Sequence, residues 1–531
     1  MLLIDNFSYT LFGWGIIDTY AFGRLFYSVF LISLFVFIVR SLNKAHLISV
    51  ISKNIYFRYA AFFLLFAAGV FLVLDIYKSK DYSGEAAASS AGIATARQYP
   101  NIVFWASDGI EADHMSLYGY HRETTPNLDA LESNMLIFDN AFSNAAQTTG
   151  AVTALLTGKH PARTKVFFPP QFLSQKDSYE HIPGVFKKLG YYNIQVAVSW
   201  WADSAELNFV DGFDIVNEVR VSNFRRSIPF EFYGAFQFLK ALLERPEERV
   251  KHLLGLERMI NPYREVAPAP RRWPLITDVN RYEMLEDAFQ SVSEPFFLHM
   301  HLNDSHGVRC IDQDCEYDLN RRKYSASHQA ITSENRVDYY DDAVADSDRA
   351  FQKLIEFLRA RKVLDNTIIV VYSDHSAIHT LDRRIPLLII FPKTSHRAGT
   401  RISTNAQLLD VGPTILDYLG IGVPDWMDGE SLLTTEQNPS RRIFGVGVIP
   451  DEGGQAPGYG LLEYGLITCQ RHYLLKIESQ TIVSGDVNGH TDPCPEDELL
   501  SDQEAMRAIN AHLGEFNIGN GNRRDLTVTD K

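Results

Sequence analysis

Asn101–Leu131, NIVFWASDGIEADHMSLYGYHRETTPNLDAL, opens on an apolar run and passes directly into Asp108-Gly109. A short apolar run closed by a turn signal reads as a strand buried on both faces. The polar stretch behind it is then delivered at the strand's carboxyl end. Four later runs have the same character: LIFDNAFS (Leu136–Ser143), NIQVAVSW (Asn193–Trp200), PFFLHMHL (Pro295–Leu302) and NTIIVVYSDHS (Asn366–Ser376). Helical stretches separate them, among them HIPGVFKKLGYY (His181–Tyr192) and the long YYDDAVADSDRAFQKLIEFLRARKVL (Tyr339–Leu364). This alternation predicts an α/β fold, a mostly parallel sheet flanked by helices. Ligands bind such sheets beyond the carboxyl ends of the strands. The residues after NIVFWAS, FFLHMHL and IIVVYS are therefore expected to share one site.

Asp108 and the pair Asp374-His375 stand at two of these ends. Carboxylates with an imidazole form an O/N set suited to zinc or manganese. A further candidate comes from NAAQTTGAVTALLTGKHP (Asn144–Pro161), which sets Thr-Thr-Gly at the mouth of an apolar helix. Thr148 has two readings. It is a helix cap, or its hydroxyl, beside a divalent cation, ionises and attacks phosphorus or sulfur. Arg383 and Arg384 are either substrate-anion binders or a charged loop leading into a buried strand. His299 and His301 alternate with apolar residues along their strand and read as core histidines. His114 reads as structural, Asp113 as a turn or capping residue, and Tyr118, Tyr120 and Arg122 as packing for the same loop. The carboxylates of YYDDAVADSDRAF read as a solvated helix face.

The chain has 531 residues and a formal net charge of −15. Its length exceeds one ordinary domain, and its charge argues against non-specific nucleic-acid binding. Two uncharged apolar runs, Leu25–Val39 and Tyr59–Leu74, read as transmembrane helices. Arg40, Lys44, Lys53 and Arg58 between them place the short loop in the cytoplasm and both termini outside. The expected organisation is a two-helix anchor over 1–80, a flexible tether over 81–97, a catalytic domain over 98–435 and a small α+β subdomain over 436–531. In that last segment RRIFGVGV, EYGLITCQ and HYLLKIES read as strands and SDQEAMRAINAHL as a helix. In an oxidising compartment the four cysteines are expected to pair as Cys310–Cys315 and Cys469–Cys494.

The opening stretch resembles the start of the sulfatase domain in the alkaline phosphatase superfamily, with its acidic metal-ligand motif and TPNLD segment. FSNAAQTTGAVTALLTGKHP is similar to that family's nucleophile helix. HIPGVFKKLGY, YYDDAVADSDRAFQKLIEFL, VVYSDHS, RRIPLLIIFP, LLDVGPTILDYLGI and MDGESLL follow in the family's order. Sulfatases convert a Cys or Ser within Cys/Ser-x-Pro-Ser-Arg to formylglycine. Counting back from Thr157-Gly158 puts Thr148 at that position, with no Cys, Pro or Arg in the motif. A Thr nucleophile resembles instead the membrane-anchored phosphoethanolamine transferases and lipoteichoic acid synthases, as do ADHMSLYGY and NDSHGV.

This second resemblance implies metal ligation by Asp108, Thr148, Asp374 and His375, with zinc preferred over manganese, calcium or magnesium. It implies Thr148 as catalytic nucleophile and His306 as the counterpart of a phosphate-binding or second-metal histidine. The stretch after His375 is shorter here than in the transferases. There His379 either supplies the missing metal-site group or is a solvent-exposed loop histidine. It stands with His306 and Arg384 as a candidate substrate-binding group. The expectation is an inner-membrane enzyme with its catalytic domain on the periplasmic side. It would move a phospho-head group through a phospho-Thr intermediate to an envelope acceptor or water, acting on a membrane lipid or cell-envelope glycan. Two alternatives stand beside it: a sulfuric ester hydrolase, and an inactive envelope scaffold.

Overall fold

In the computed structural model, β1 (Asn101–Ser107) is buried at every position. Its alternating side chains feed two apolar layers: Ile102, Phe104 and Ala106 on one side, Val103 and Trp105 on the other. A strand with both faces covered has no polar face, so its sequence shows no alternation. The structure describes residues 99–221, 277–303, 305, 323–325, 332–392, 399–434, 440–450 and 459–516, with single breaks at 170, 200, 218 and 478. Ser33 and Arg40 are also described, both helical.

β1 pairs in parallel with β7 (Phe296–Leu302) on one side and β8 (Thr367–Tyr372) on the other. β4 (Tyr192–Val196) continues the parallel set beyond β7. β9 (Leu387–Ile390) runs antiparallel between β8 and β2 (Met135–Phe138). With β5 (Ile215–Val216), β6 (Val219–Arg220) and β10 (Thr400–Ile402) the sheet has nine strands, ordered β10-β2-β9-β8-β1-β7-β4-β5-β6. The helices Thr148–Thr157, Ile182–Lys188 and Val411–Leu419 pack into the first apolar layer. Asp278–Ala288 and Arg336–Ala360 pack into the second. The mostly parallel α/β sheet flanked by helices is thus present.

Two local expectations are corrected. LIFDNAFS is not one strand: it divides into β2 and β3 (Ala141–Phe142), and β3 belongs to a separate two-stranded sheet with β11 (Ala406–Gln407). The break falls at two polar residues held by other segments. Asp139 accepts from Arg401 Nη1 at 2.6 Å, and Asn140 Nδ2 donates to the Ser403 carbonyl at 2.6 Å. The acids of the long helix are likewise not a solvated face. Asp341 has a fully buried side chain that accepts from Tyr120 OH and Arg122 Nη1 and faces His114 Nδ1 at 2.8 Å. Asp342 accepts from the backbone of Lys323, Tyr324 and Ser325, and Asp348 from that of Asn127 and Leu128. These carboxylates fasten loops to the helix, and His114, Tyr120 and Arg122 have the packing role expected.

Four antiparallel strands, β12 (Ile443–Pro450), β13 (Tyr459–Thr468), β14 (Arg471–Lys476) and β15 (Thr481–Asp486), form the C-terminal sheet in sequence order. The helix Asp502–Glu515 covers it, opened by a capping box between Ser501 and Glu504. Val446, Tyr464 and Ile509 of this region join the same apolar layer as Ile102 and Phe104. Cys469 and Cys494 form the expected disulfide. Cys310 and Cys315 lie outside the described residues, as do, apart from Ser33, the two stretches read as membrane spans. Among the described residues no helix is long and apolar enough to cross a membrane.

Candidate active site

β1 and β8 are neighbours and parallel, so the residues following each emerge at the same edge of the sheet. Asp108 follows β1, and Asp374-His375 follows β8. Gly109 takes a left-handed φ of 69°, which turns the chain back so that its N–H donates to Asp374 Oδ1 at 3.3 Å. Tyr340 OH secures the same turn, donating to the Gly109 carbonyl and accepting from Glu111 N–H, each at 2.8 Å. One atom each from Asp108, Asp374 and His375 lies within 4.8 Å of the others, all three residues buried.

The helix Thr148–Thr157 aims its first residue at this cluster. All ten of its residues are buried. Gly150 is required there, because a Cβ would stand 2.8 Å from Ala145 Cβ. The N-cap is Gln147, with no capping hydrogen bond from a side chain, so Thr148 is the first helical residue and not the cap. Its Oγ1 lies 3.2 Å from His375 Nε2. Thr149 points elsewhere, donating to the Trp201 carbonyl at 3.0 Å. His375 Nδ1 donates to the Ser376 carbonyl at 2.9 Å, which assigns the ring proton and leaves Nε2 for the site. That Nε2 lies 3.4 Å from both Asp108 Oδ1 and Asp374 Oδ2.

The donors present are two carboxylates, one imidazole and a hydroxyl, and among the described residues Asp374 Oδ2 is buried without a hydrogen bond. Burial pushes the Asp374 carboxyl up, but His375 and His301 beside it outweigh that and hold it well below the usual range. A buried anionic pocket of this kind fits a divalent cation. Its oxygen-rich composition suits a hard ion. The preference for zinc has no support in it.

The substrate-binding expectations divide. His379 is beside the cluster, its ring centroid 4.4 Å from that of His375 and its Nδ1 donating to the Ala146 carbonyl at 3.2 Å. His306 lies outside the described residues. Arg384 is corrected: it is buried, its Nη2 pairs with Asp113, Nη1 donates to the Asp139 carbonyl at 2.8 Å and Nε to the Asn488 carbonyl at 3.1 Å. All three nitrogens are engaged in tying loops together, and Asp113 is that clamp's anion and not a helix cap. Arg383 differs, its buried Nε having no hydrogen bond among the described residues.

Sequence reading missed His301. Its Nε2 lies 3.5 Å from Asp374 Oδ2, whereas its strand-mate His299 is a core histidine as expected, bonded to Gln195 and to Tyr372 OH at 2.9 Å each. The available signal was its place next to last in β7, the strand that flanks β1.

The family model described as Sulfatase matches residues 100–421. An ulvan-active sulfatase of Formosa agariphila is 24% identical over 76% of this chain and 78% of its own length. An N-acetylglucosamine-6-O-sulfatase of Bacteroides thetaiotaomicron is 21% identical over 72% of this chain and 78% of its own. Among solved structures, Ps i-CgsB in complex with k-i-k-neocarrahexaose superposes with a TM-score of 0.54 at 18% identity, covering 79% of this chain and 93% of that one.

Proposed function

This chain belongs to the sulfatase family, and from that premise we propose a metal-dependent hydrolase of sulfuric esters carried on a glycan. Asp108, Thr148, Asp374 and His375 would hold the cation. The observation that carries the reading is the Thr148 hydroxyl, fixed 3.2 Å from His375 Nε2 at the mouth of the buried acidic cluster. A bound calcium or magnesium ion would supply the charge that favours the ionised hydroxyl and offsets the ester's anionic oxygens. Thr148 Oγ1 bonds to sulfur as the bond from sulfur to the sugar oxygen breaks, and the proton that Oγ1 gives up is balanced by the one the departing sugar oxygen takes. Water then bonds to sulfur as the bond from sulfur to Oγ1 breaks, returning a proton to Thr148 and releasing sulfate. The helix N-terminus adds partial positive charge where the ester's oxygens would gather. His379 and Arg383 are assigned to the ester's anionic oxygens and the glycan around it. The glycan assignment draws on the relatives above, whose names specify activity on ulvan and on N-acetylglucosamine 6-O-sulfate.

One observation favours a second reading. Threonine has no route to formylglycine by the usual oxidation, so a nucleophile at this position is the unmodified Thr148 hydroxyl, and its attack forms a covalent ester on Thr148. Phosphorus sustains that chemistry readily, and the same residues would then move a phospho-head group to an envelope acceptor or water.

One assay separates the two. Metal-stripped full-length protein, reloaded with calcium or magnesium, is given a sulfated oligosaccharide and a phosphodiester in parallel. Sulfate release that disappears in Thr148→Ala is the expected result. Turnover of the phosphodiester alone would establish the second reading. Turnover of neither, with no cation bound, would leave an inactive scaffold.

A further inference from the structure

β7 carries two histidines on one face, His299 and His301, and both are fully buried. Their surroundings are opposite. His299 has a partner at each ring nitrogen, Gln195 at Nδ1 and the Tyr372 hydroxyl at Nε2. Among the described residues His301 has a hydrogen bond at neither nitrogen, and Asp374 Oδ2, 3.5 Å from its Nε2, is likewise buried without one. Two orphaned polar groups facing each other in a core are costly unless something else completes them. An apolar residue would fill the same place in the strand without that cost. His301 also stands outside the set of mutually close ligand atoms, which comprises Asp108, Asp374 and His375. It sits beside one ligand, not among the three.

We propose that His301 is a positioning residue of the cation site, directing Nε2–H at Asp374 Oδ2 so that this carboxylate is held in the orientation the ion requires. The inference rests on the reading of Asp108, Asp374 and His375 as a metal centre. The arrangement explains why a second polar ring is kept on this buried strand face beyond His299, since residues that orient a ligand contribute to affinity without touching the ion.

The test is calorimetric titration of calcium, and separately magnesium, into metal-stripped full-length protein. His301→Leu is expected to weaken cation affinity about 10- to 100-fold. His301→Gln, which retains a donor at a similar reach, is expected to stay within about threefold of the wild type. A His301→Leu protein with wild-type affinity overturns the proposal. So does a His301→Gln protein as weak as the leucine variant, which would mark His301 as packing alone. If His301→Leu fails to fold, isotope-labelled histidine in the wild-type protein decides. The His301 ring nitrogen resonance must move when the cation is added, and an unmoved resonance overturns the assignment. A wild type that takes up neither cation sinks the metal-centre reading itself, an outcome separate from the failure of His301 within a working site.

Discussion

Thr148 and Thr149 are chemically identical neighbours with separate tasks. Thr148 Oγ1 faces His375 Nε2, while Thr149 Oγ1 holds the Trp201 carbonyl. Thr148→Ala is therefore expected to abolish turnover and leave the thermal melt of the metal-free protein close to wild type. Thr149→Ala should lose about 1 kcal/mol of stability from its buried hydrogen bond and retain measurable turnover. Equal activity loss in the two variants would argue that the hydroxyls serve only the helix start. Asp374→Asn removes a charge from a buried site whose neighbours are arranged around an anion. It should lose bound metal and activity together, checked by elemental analysis alongside the assay.

At the scale of elements, the loop between β8 and β9 and the C-terminal helix are joined to the rest by buried polar groups. Arg384 links the turn at Asp113, the end of β2 at Asp139 and the segment after β15 at Asn488. Arg384→Ala leaves the half-buried Asp113 carboxylate with Asn488 Nδ2 alone and two carbonyls without their donor, and should cost roughly 1.5–3 kcal/mol in denaturant unfolding. The C-terminal helix is held by His512, stacked on Phe444 at 3.9 Å and in edge contact with His160 at 4.6 Å. Burial lowers His160 to about 4 and His512 to about 3, from an ordinary imidazole value of about 6.5. Between about pH 6.5 and 4 the unfolded chain binds protons that these folded rings refuse, so acidification through that window destabilises the fold. Each histidine contributes about 1.4 kcal/mol per pH unit there. Asp203 and Asp348, each pushed up to about 6 by burial, titrate in the opposite sense over much of the same range. The informative quantity is thus a difference: wild-type melting temperature should fall more steeply with acid than that of His512→Phe. Parallel slopes would remove the helix from the account.

For the whole molecule, the nine-stranded sheet and the C-terminal sheet share one apolar layer, so unfolding of either is expected to expose the other. The Cys469–Cys494 bridge, with its partners 25 residues apart, should contribute about 3 kcal/mol by restricting the unfolded chain. Reduction before a chemical melt should lower the midpoint by a corresponding amount. A membrane anchor formed by the two N-terminal apolar runs, with the catalytic domain on the extracytoplasmic side, remains our proposal for the intact protein. A topology reporter fused after Gly92 should read extracytoplasmic and one near Lys44 cytoplasmic. The reverse pattern would exclude an envelope glycan as substrate.

Sequence alone sufficed for the apolar signature of the central strands, the delivery of Asp108 and Asp374-His375 to one sheet edge, the buried helix with Thr148 at its mouth, and the pairing of Cys469 with Cys494. Each of these depends on a property carried within a single element: continuous apolarity, a turn after a strand, a helix start, a short separation. The partners of residues with similar local surroundings depend instead on the folded chain. His299 and His301 have the same strand setting, yet Gln195, 104 residues away, satisfies one and the metal cluster faces the other. Arg383 and Arg384 are adjacent, and an aspartate 271 residues away claims Arg384. The acids of the long helix alternate like a solvated face, but loops from both directions of the chain close over them. Periodicity reports whether a side chain points inward; what it meets there depends on segments that only the fold brings together.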